Sequence, residues 1–483
     1  MKKIYKYMVL SIAAVTFSCN DAIEIEQVGR LGAEQAFETV SDLESGILGT
    51  YNNFDYTPSI QWESNFTDEI AIGPDNGGQG IGIYQWVVTP QSAASVALWT
   101  NYYAALNSAN RIIEAAANIT PETGEEADYN NVLGEAHALR AWAHFELWSY
   151  FTPDYLDANS PSVLLVNFVP GVSDQLSRST SAEILAQVTS DLDRAAQLLQ
   201  VTSDPTRVSQ DFVTALRARV ALYTQDYTTA DAAAASLLGS YNLANQAQFT
   251  AMWDDADNTE VIFKLERSVG DPYDGQGSTG SAFAGGWAGA NYAFVNPTVD
   301  GSPYFVASSD LFALMPAGDI RRDVYIDESA APAYDVLPVG KYPGSGGQPL
   351  LNDLKIFRAA DMLLIRAEAA VANNNLAAAA GYIDQLRDAR YGSDQATPTI
   401  ANQTAGYALV LQERRVEFAF EGHRYRDLKR LGSRASVGIS RPSAECDVYG
   451  ACTLASTDFR FTLPIPLVEL DANPAITEQN PGY

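Results

Sequence analysis

Rings, amides and carboxylates crowd into two stretches of the chain. Between Asp55 and Gln91 stand Trp62, Phe66, Tyr84 and Trp86, with Asn65, Asp68 and Asn76 among them and a turn-forming run at Asn76-Gly77-Gly78-Gln79-Gly80. Between Val269 and Tyr304 stand Tyr273, Phe283, Trp287, Tyr292 and Phe294, spaced by Gly275, Gly277, Gly280, Gly285, Gly286 and Gly289. Long stretches of this kind are either functional or disordered, and so many rings are hard to reconcile with disorder, so the rings, amides and carboxylates are read as binding groups. Trp86, Tyr84, Trp287 and Tyr292 are the expected platforms, Trp62 and Tyr273 come next, and Asn65, Asp68 and Asn76 are the expected hydrogen-bonding partners. The competing role for any one ring is to pin a long loop to the scaffold.

Other chemistries fail on spacing. Gly275-Gln276-Gly277-Ser278-Thr279-Gly280 reproduces the dinucleotide fingerprint, which needs a strand directly before it and a helix directly after. The candidate strand from Val261 to Leu265 ends too early, and Gly- and Ser-rich sequence follows. Walker A, the nucleophile elbow and His-Glu-x-x-His do not occur. Asp68-Glu69 and Asp254-Asp255 could be drawn as a hydrolase pair, yet among 59 acidic residues adjacent carboxylates are commonplace, and a glycosidase needs a defined separation. Asp75, Asp271 and Asp274 lie among glycines without EF-hand spacing. His137 and His144 fall on one expected helix about 10 Å apart along its axis, so they are read as packing or surface residues. No catalytic residue, metal centre or cofactor is expected.

The elements that would carry these loops read as helices. Leu133, Ala136, Arg140, Ala143, Leu147 and Tyr150 recur at steps of three and four, the stripe of a helix buried on one side. Similar stripes run over 182–199, 212–223, 229–238, 359–372, 377–390 and 406–420. Ala138-Leu139-Arg140-Ala141, Ala215-Leu216-Arg217-Ala218 and Leu364-Ile365-Arg366-Ala367 repeat a pattern, and the last two lead through short polar turns into Ala-rich helices. Small residues let two helices approach closely, as in tetratricopeptide pairs, although the irregular spacing points to a helical core with insertions rather than a tandem array. Arg140, Arg217 and Arg366 are expected to pair with acids on neighbouring helices.

Charge and the N-terminus set the compartment. Thirty basic residues against 59 acidic ones give a net charge of −29, which excludes nucleic-acid binding by a phosphate-neutralising surface. Lys2, Lys3 and Lys6 precede a short apolar run ending at Ser18-Cys19, the pattern of an export signal over 1–18 with a thiol placed for lipidation. Cleavage there would remove three lysines and take the net charge to −32. In an exported chain Cys446 and Cys452, the remaining even pair, read as a local disulfide.

Three blocks in the C-terminal third carry a family resemblance: Arg358 to Ala369, Ile383 to Arg390, and Glu413-Arg414-Arg415-Val416-Glu417-Phe418-Ala419-Phe420-Glu421-Gly422-His423-Arg424-Tyr425-Arg426-Asp427-Leu428-Lys429-Arg430. With the tail from Pro464-Ile465-Pro466 to Asn480-Pro481-Gly482-Tyr483 and the upstream Gly134 to Ala141 segment, they closely resemble the RagB/SusD nutrient-binding family. The charged block itself reads as a helix and turn whose Arg and Glu residues form a structural network. The resemblance implies a mainly α, tetratricopeptide-like scaffold over 19–483 with minor β and variable insertions near 55–91 and 269–304. It further implies a lipoprotein anchored in the outer membrane through Cys19, facing outward, that captures oligosaccharides and delivers them to a SusC-like TonB-dependent transporter, with no enzymatic role. A minority of the family is associated with peptides, which leaves an oligopeptide ligand as the alternative and a secreted glycoside hydrolase as the rival from another class.

Overall fold

The computed structural model describes residues 36–74, 76–268, 304–327, 336–345, 348–349 and 351–483. Helix dominates. The long helices are α1 (Val40–Asn53), α2 (Thr57–Phe66), α3 (Ala93–Ala116), α4 (Glu126–Phe151), α5 (Ser181–Leu198), α6 (Gln210–Tyr223), α7 (Tyr227–Leu237) and α8 (Gln246–Trp253), then α9 (Ala359–Ala372), α10 (Leu376–Tyr391), α11 (Gln403–Glu417) and α12 (Arg424–Ala435). Short ladders are antiparallel: β1 (Ile70–Ile72) pairs with β3 (Phe305–Ala307), β2 (Val261–Leu265) with β4 (Leu354–Arg358), and β5 (Ile439–Ser440) with β6 (Thr453–Leu454).

Helix starts follow local chemistry. Thr39 and Thr180 each cap a helix in a reciprocal box with an acid three residues on, Asp42 and Glu183, satisfying backbone N–H groups that have no helical partner. The pairs expected from the repeated pattern are present. α6 turns into α7 through Gln225 at φ 61°, with Asp226 accepting from the Thr229 N–H; α9 turns into α10 through Asn374 at φ 56°, with Asn375 accepting from the Ala378 N–H. Polar residues tolerate that left-handed position and then cap the next helix, which is why both turns are so short. α7 also packs on α9, joining the two pairs.

α4 runs through the centre and is buried on every face from Ala138 to Phe151. Its Trp142 stacks on Phe54 at 4.2 Å and meets the edges of Phe212 and Phe263. The three repeated arginines pair as expected, Arg140 with Asp191, Arg217 with Asp193 and Arg366 with Asp231, at 2.6–2.8 Å.

The stretch 55–91 is not the long irregular insertion expected from its composition. Pro58 at the first turn starts α2, and Trp62 and Phe66, one turn apart, turn inward with Ile60. β1 and a short helix Ile81–Tyr84 follow. No helix of the described residues is long and apolar enough to cross a membrane.

Candidate functional site

The ends of the second stretch are sewn to the first. β1 and β3 pair from Ile70 with Ala307 to Ile72 with Phe305, and the Gly73 N–H extends the contact to the Tyr304 carbonyl at 2.9 Å. The Asn76 amide donates to the carbonyls of Tyr304 (2.9 Å) and Gln79 (2.8 Å), while its oxygen accepts from the Gly78 N–H. At the other end, Arg267 reaches Asp55 at 3.0 Å. The turn that follows needs left-handed backbone. Gly80 sits at φ 67°, where a Cβ would lie 2.8 Å from both the Asn65 amide nitrogen and Phe305 Cζ.

A residue unnoticed in the sequence organises the centre of this region. Arg441 donates to the carbonyls of Asn65, Phe66 and Thr67 at the end of α2, to Tyr84 and to Ala451, at 2.6–3.4 Å. These include carbonyls that a helix C-terminus leaves without partners, and a cation suits the negative end of the helix dipole. Its guanidinium lies 3.7 Å from the Tyr84 ring centre and 4.7 Å from that of Trp86. No carboxylate faces it at ion-pair distance among the described residues, and burial holds its pKa down at about 10. Trp86 adopts φ 58°, a strained position for a bulky residue; its indole N–H donates to the Phe66 carbonyl at 2.8 Å and holds it there.

Asn65, Tyr84 and Trp86 therefore do meet, but around Arg441 and inside the protein. Trp62, Tyr84 and Asn65 are 0% exposed, Asp68 2%, Asn76 4% and Trp86 7%. This corrects the expectation for the first stretch. Trp62 packs against Phe66 and Tyr425, Asp68 is an ion-pair partner, and Asn76 is a loop clip, so these side chains hold the loop to the scaffold. Tyr273, Trp287 and Tyr292, with Cys19 and the segment 1–18, lie outside the described residues, as do Asp75, Asp271 and Asp274.

The acids of the region cannot act as an exposed hydrolytic pair. Burial pushes Asp68 up, but Arg415 and Arg424 outweigh it and hold its carboxyl down at about 2. Burial carries Glu69 up to about 8, with the Ser64 hydroxyl opposing. Deeper in, the charged block forms the structural network expected of it. Arg358 pairs with Glu260, Glu417 and Glu421, Arg390 with Glu260 and Glu417, and Arg414 with Asp361 and Asp427. Among the described residues the only exposed cations are Arg111 and Arg194, against 21 exposed carboxylates.

Cys446 and Cys452 form the expected disulfide and close the β5–β6 hairpin. Tyr449 inside that loop meets the edge of Tyr84 at 5.4 Å, and its carbonyl accepts from the Gln85 amide, so the hairpin clamps the 84–86 turn. Cys446, Asp447 and Cys452 are the one grouping of metal-type side chains among the described residues, and the disulfide consumes both sulfurs. His137 bonds Asp191, while burial lowers His144 to about 4.

Residues 343–483 match the SusD family, and residues 51–222 match a second SusD-like family described as starch-binding and associating with the outer membrane. The chain is SusD-like. SusD-like protein P38 of Formosa agariphila is 26% identical, the match covering 89% of this chain and 92% of that one. SusD-like protein P2 of the same organism is 25% identical over the full length of both. Among solved structures, a SusD superfamily protein from Bacteroides thetaiotaomicron superposes with a TM-score of 0.76 at 24% identity, covering 92% of this chain and all of that one. Surface glycan-binding protein A from Bacteroides fluxus gives 0.72 at 22% identity, with 92% and 100% covered. At these identities the superpositions establish the fold, a scaffold of paired helices with small antiparallel ladders.

Proposed function

We propose that this SusD-like chain is a lipoprotein of the outer membrane, anchored through Cys19 and facing outward, that captures oligosaccharides and delivers them to a SusC-like TonB-dependent transporter. The observation that carries the reading is the stitching of both ends of the 269–303 segment to the 55–86 region, through β1–β3, the Asn76 clip and the Arg267–Asp55 pair. The described residues that flank the segment thereby belong to a rigid platform, and binding groups on loops are best positioned by such a scaffold. Trp287, Tyr292 and Tyr273 are the stacking residues in this reading, and Trp86, Tyr84 and Trp62 are buried parts of the scaffold. The name of the surface glycan-binding protein A from Bacteroides fluxus is consistent with a ligand of that class.

Calorimetry with oligosaccharides selected on a glycan array tests the reading. Trp287→Ala or Tyr292→Ala should weaken binding roughly tenfold through lost ring contact, with the fold intact. Unchanged affinity in both variants would move the site away from this segment. The acid-dominated surface gives a second reading its support, a cationic oligopeptide ligand, which the same instrument distinguishes directly.

A further inference from the structure

A cavity of about 220 Å³ opens between α1 and the end of β2 and shares no residue with the cage around Arg441. Leu48 and Tyr51 of α1 and Leu265 of β2 give it apolar walls, while Asn52, Arg207, Glu266 and Arg267 supply polar groups. The wall at Arg207 is held rigid. Its Nε and Nη2 donate to Glu135 at 3.0 and 2.7 Å, its guanidinium lies 5.4 Å from the Tyr51 ring centre, and the Tyr51 hydroxyl donates to Glu135 and accepts from the Val208 N–H. Glu135 itself is fully buried.

Hydrogen-bonding capacity is left over around this cavity. Arg207 Nη1 has no partner among the described residues, and Arg267 gives only Nη2 to Asp55, at 3.0 Å, which leaves its Nε and Nη1. The side chains of Asn52 and Glu266 are exposed and make no hydrogen bond among the described residues.

We propose that this cavity is a second sugar-binding site, taking one neutral pyranose unit with a C–H face on Leu48 and Tyr51 and its hydroxyls on Arg207, Arg267, Asn52 and Glu266. The class of ligand rests on the oligosaccharide reading above; the site rests on none of the rings assigned there. Charge narrows the ligand. A carboxylate or sulfate would face Glu266 and the two carboxylates that already hold the guanidinium groups, Glu135 and Asp55, whereas a cationic ligand would face Arg207 and Arg267. A hydroxyl both donates and accepts, so a neutral polyol answers the leftover N–H donors and the free carboxylate at once. Apolar walls with a few convergent polar groups are the usual make-up of a small-molecule site.

Saturation-transfer NMR with the methyl glycosides of glucose, galactose, mannose and xylose tests the site. It is read on the wild type, on Trp287→Ala/Tyr292→Ala, and on that variant with Leu48→Trp or Glu266→Ala added. Leu48 is 55% exposed and Glu266 lies on the surface, so neither change disturbs the core. At least one glycoside should bind Trp287→Ala/Tyr292→Ala. Adding Leu48→Trp, whose indole fills the cavity, should abolish that binding, and adding Glu266→Ala should weaken it about tenfold. A glycoside that binds the wild type but not Trp287→Ala/Tyr292→Ala, or whose binding there ignores both added changes, would overturn the second site while the oligosaccharide reading stands. Silence of every glycoside with the wild type would also overturn the site, and the calorimetry above would then judge the oligosaccharide reading by itself.

Discussion

Glu69 gives the sharpest thermodynamic test of the region. Its carboxyl is fully buried; Oε2 accepts from the Ser64 hydroxyl at 2.7 Å and from the Phe420 N–H at 3.4 Å, and Oε1 has no hydrogen-bond partner among the described residues. Burial lifts its pKa from 4.5 to about 8, with Ser64 opposing and Glu63 and Asp68 adding to the rise. Between those values the native state keeps a proton that the unfolded chain has released, so stability is fully present below pH 4.5 and falls as pH rises towards 8. At 1.36 kcal/mol per pH unit the loss between pH 5 and pH 9 is about 4 kcal/mol. Glu69→Gln keeps a carbonyl acceptor for Ser64 and Phe420 but cannot ionise. Urea unfolding of both proteins at pH 5, 7 and 9 isolates the effect, because other titrating groups cancel in the difference. The variant should gain on the wild type steadily across that range. A difference that stays flat with pH would refute the reasoning.

Three further outcomes follow from the same contacts. Arg441→Met leaves buried carbonyls of Asn65, Phe66, Thr67, Tyr84 and Ala451 without their donor and should cost about 3–5 kcal/mol in urea unfolding, with Arg441→Lys recovering only part of it. Reducing the Cys446–Cys452 bridge should cost about 2–3 kcal/mol while circular dichroism stays helical, since the loop is short and the scaffold lies elsewhere; free thiols in protein from an oxidising compartment would remove the premise. Cys19→Ala should release the protein from membranes in detergent-free fractionation, because a doubly acylated anchor holds far more firmly than residual protein contact.

The scaffold was legible where small and apolar residues recur at helical spacing and a polar turn follows. Ala359–Ala372 is read to the residue, and the turns at Gln225 and Asn374 fall where they belong. α3 escaped because its stripe of Leu98, Tyr102, Ala105, Ala109, Ile112 and Ala116 is carried by alanine and tyrosine among many polar residues. α2 escaped because aromatics near a glycine-rich turn read as loop, although Pro58 and the spacing of Trp62 and Phe66 were the available signals. The rings of the first stretch were misread for a physical reason. Stacking on a ligand and stacking on a scaffold call for the same ring, and only the carbonyl cage of Arg441, assembled from residues far apart in the sequence, decides between them for Tyr84 and Trp86.

The placement of positive charge sets what the exterior can hold. Most described arginines and lysines are bonded to buried carboxylates or backbone carbonyls, a few such as Arg217 and Arg366 pair with acids nearer the surface, and Arg111 on α3 and Arg194 on α5 are the exposed ones. A sulfated or uronate ligand would thus meet a surface of like sign, whereas a neutral oligosaccharide needs only ring faces and hydrogen-bonding groups. Binding of the cognate glycan should therefore change by less than about twofold when sodium chloride rises from about 50 to 500 mM, because no long-range attraction is there to be screened. The protein alone should respond in the opposite sense, its melting temperature climbing by a few degrees as salt damps the repulsion among surface carboxylates. A steep loss of affinity with salt, accompanied by tight binding of Lys- or Arg-rich peptides, would overturn the choice of a neutral sugar and make the acidic surface the recognition element.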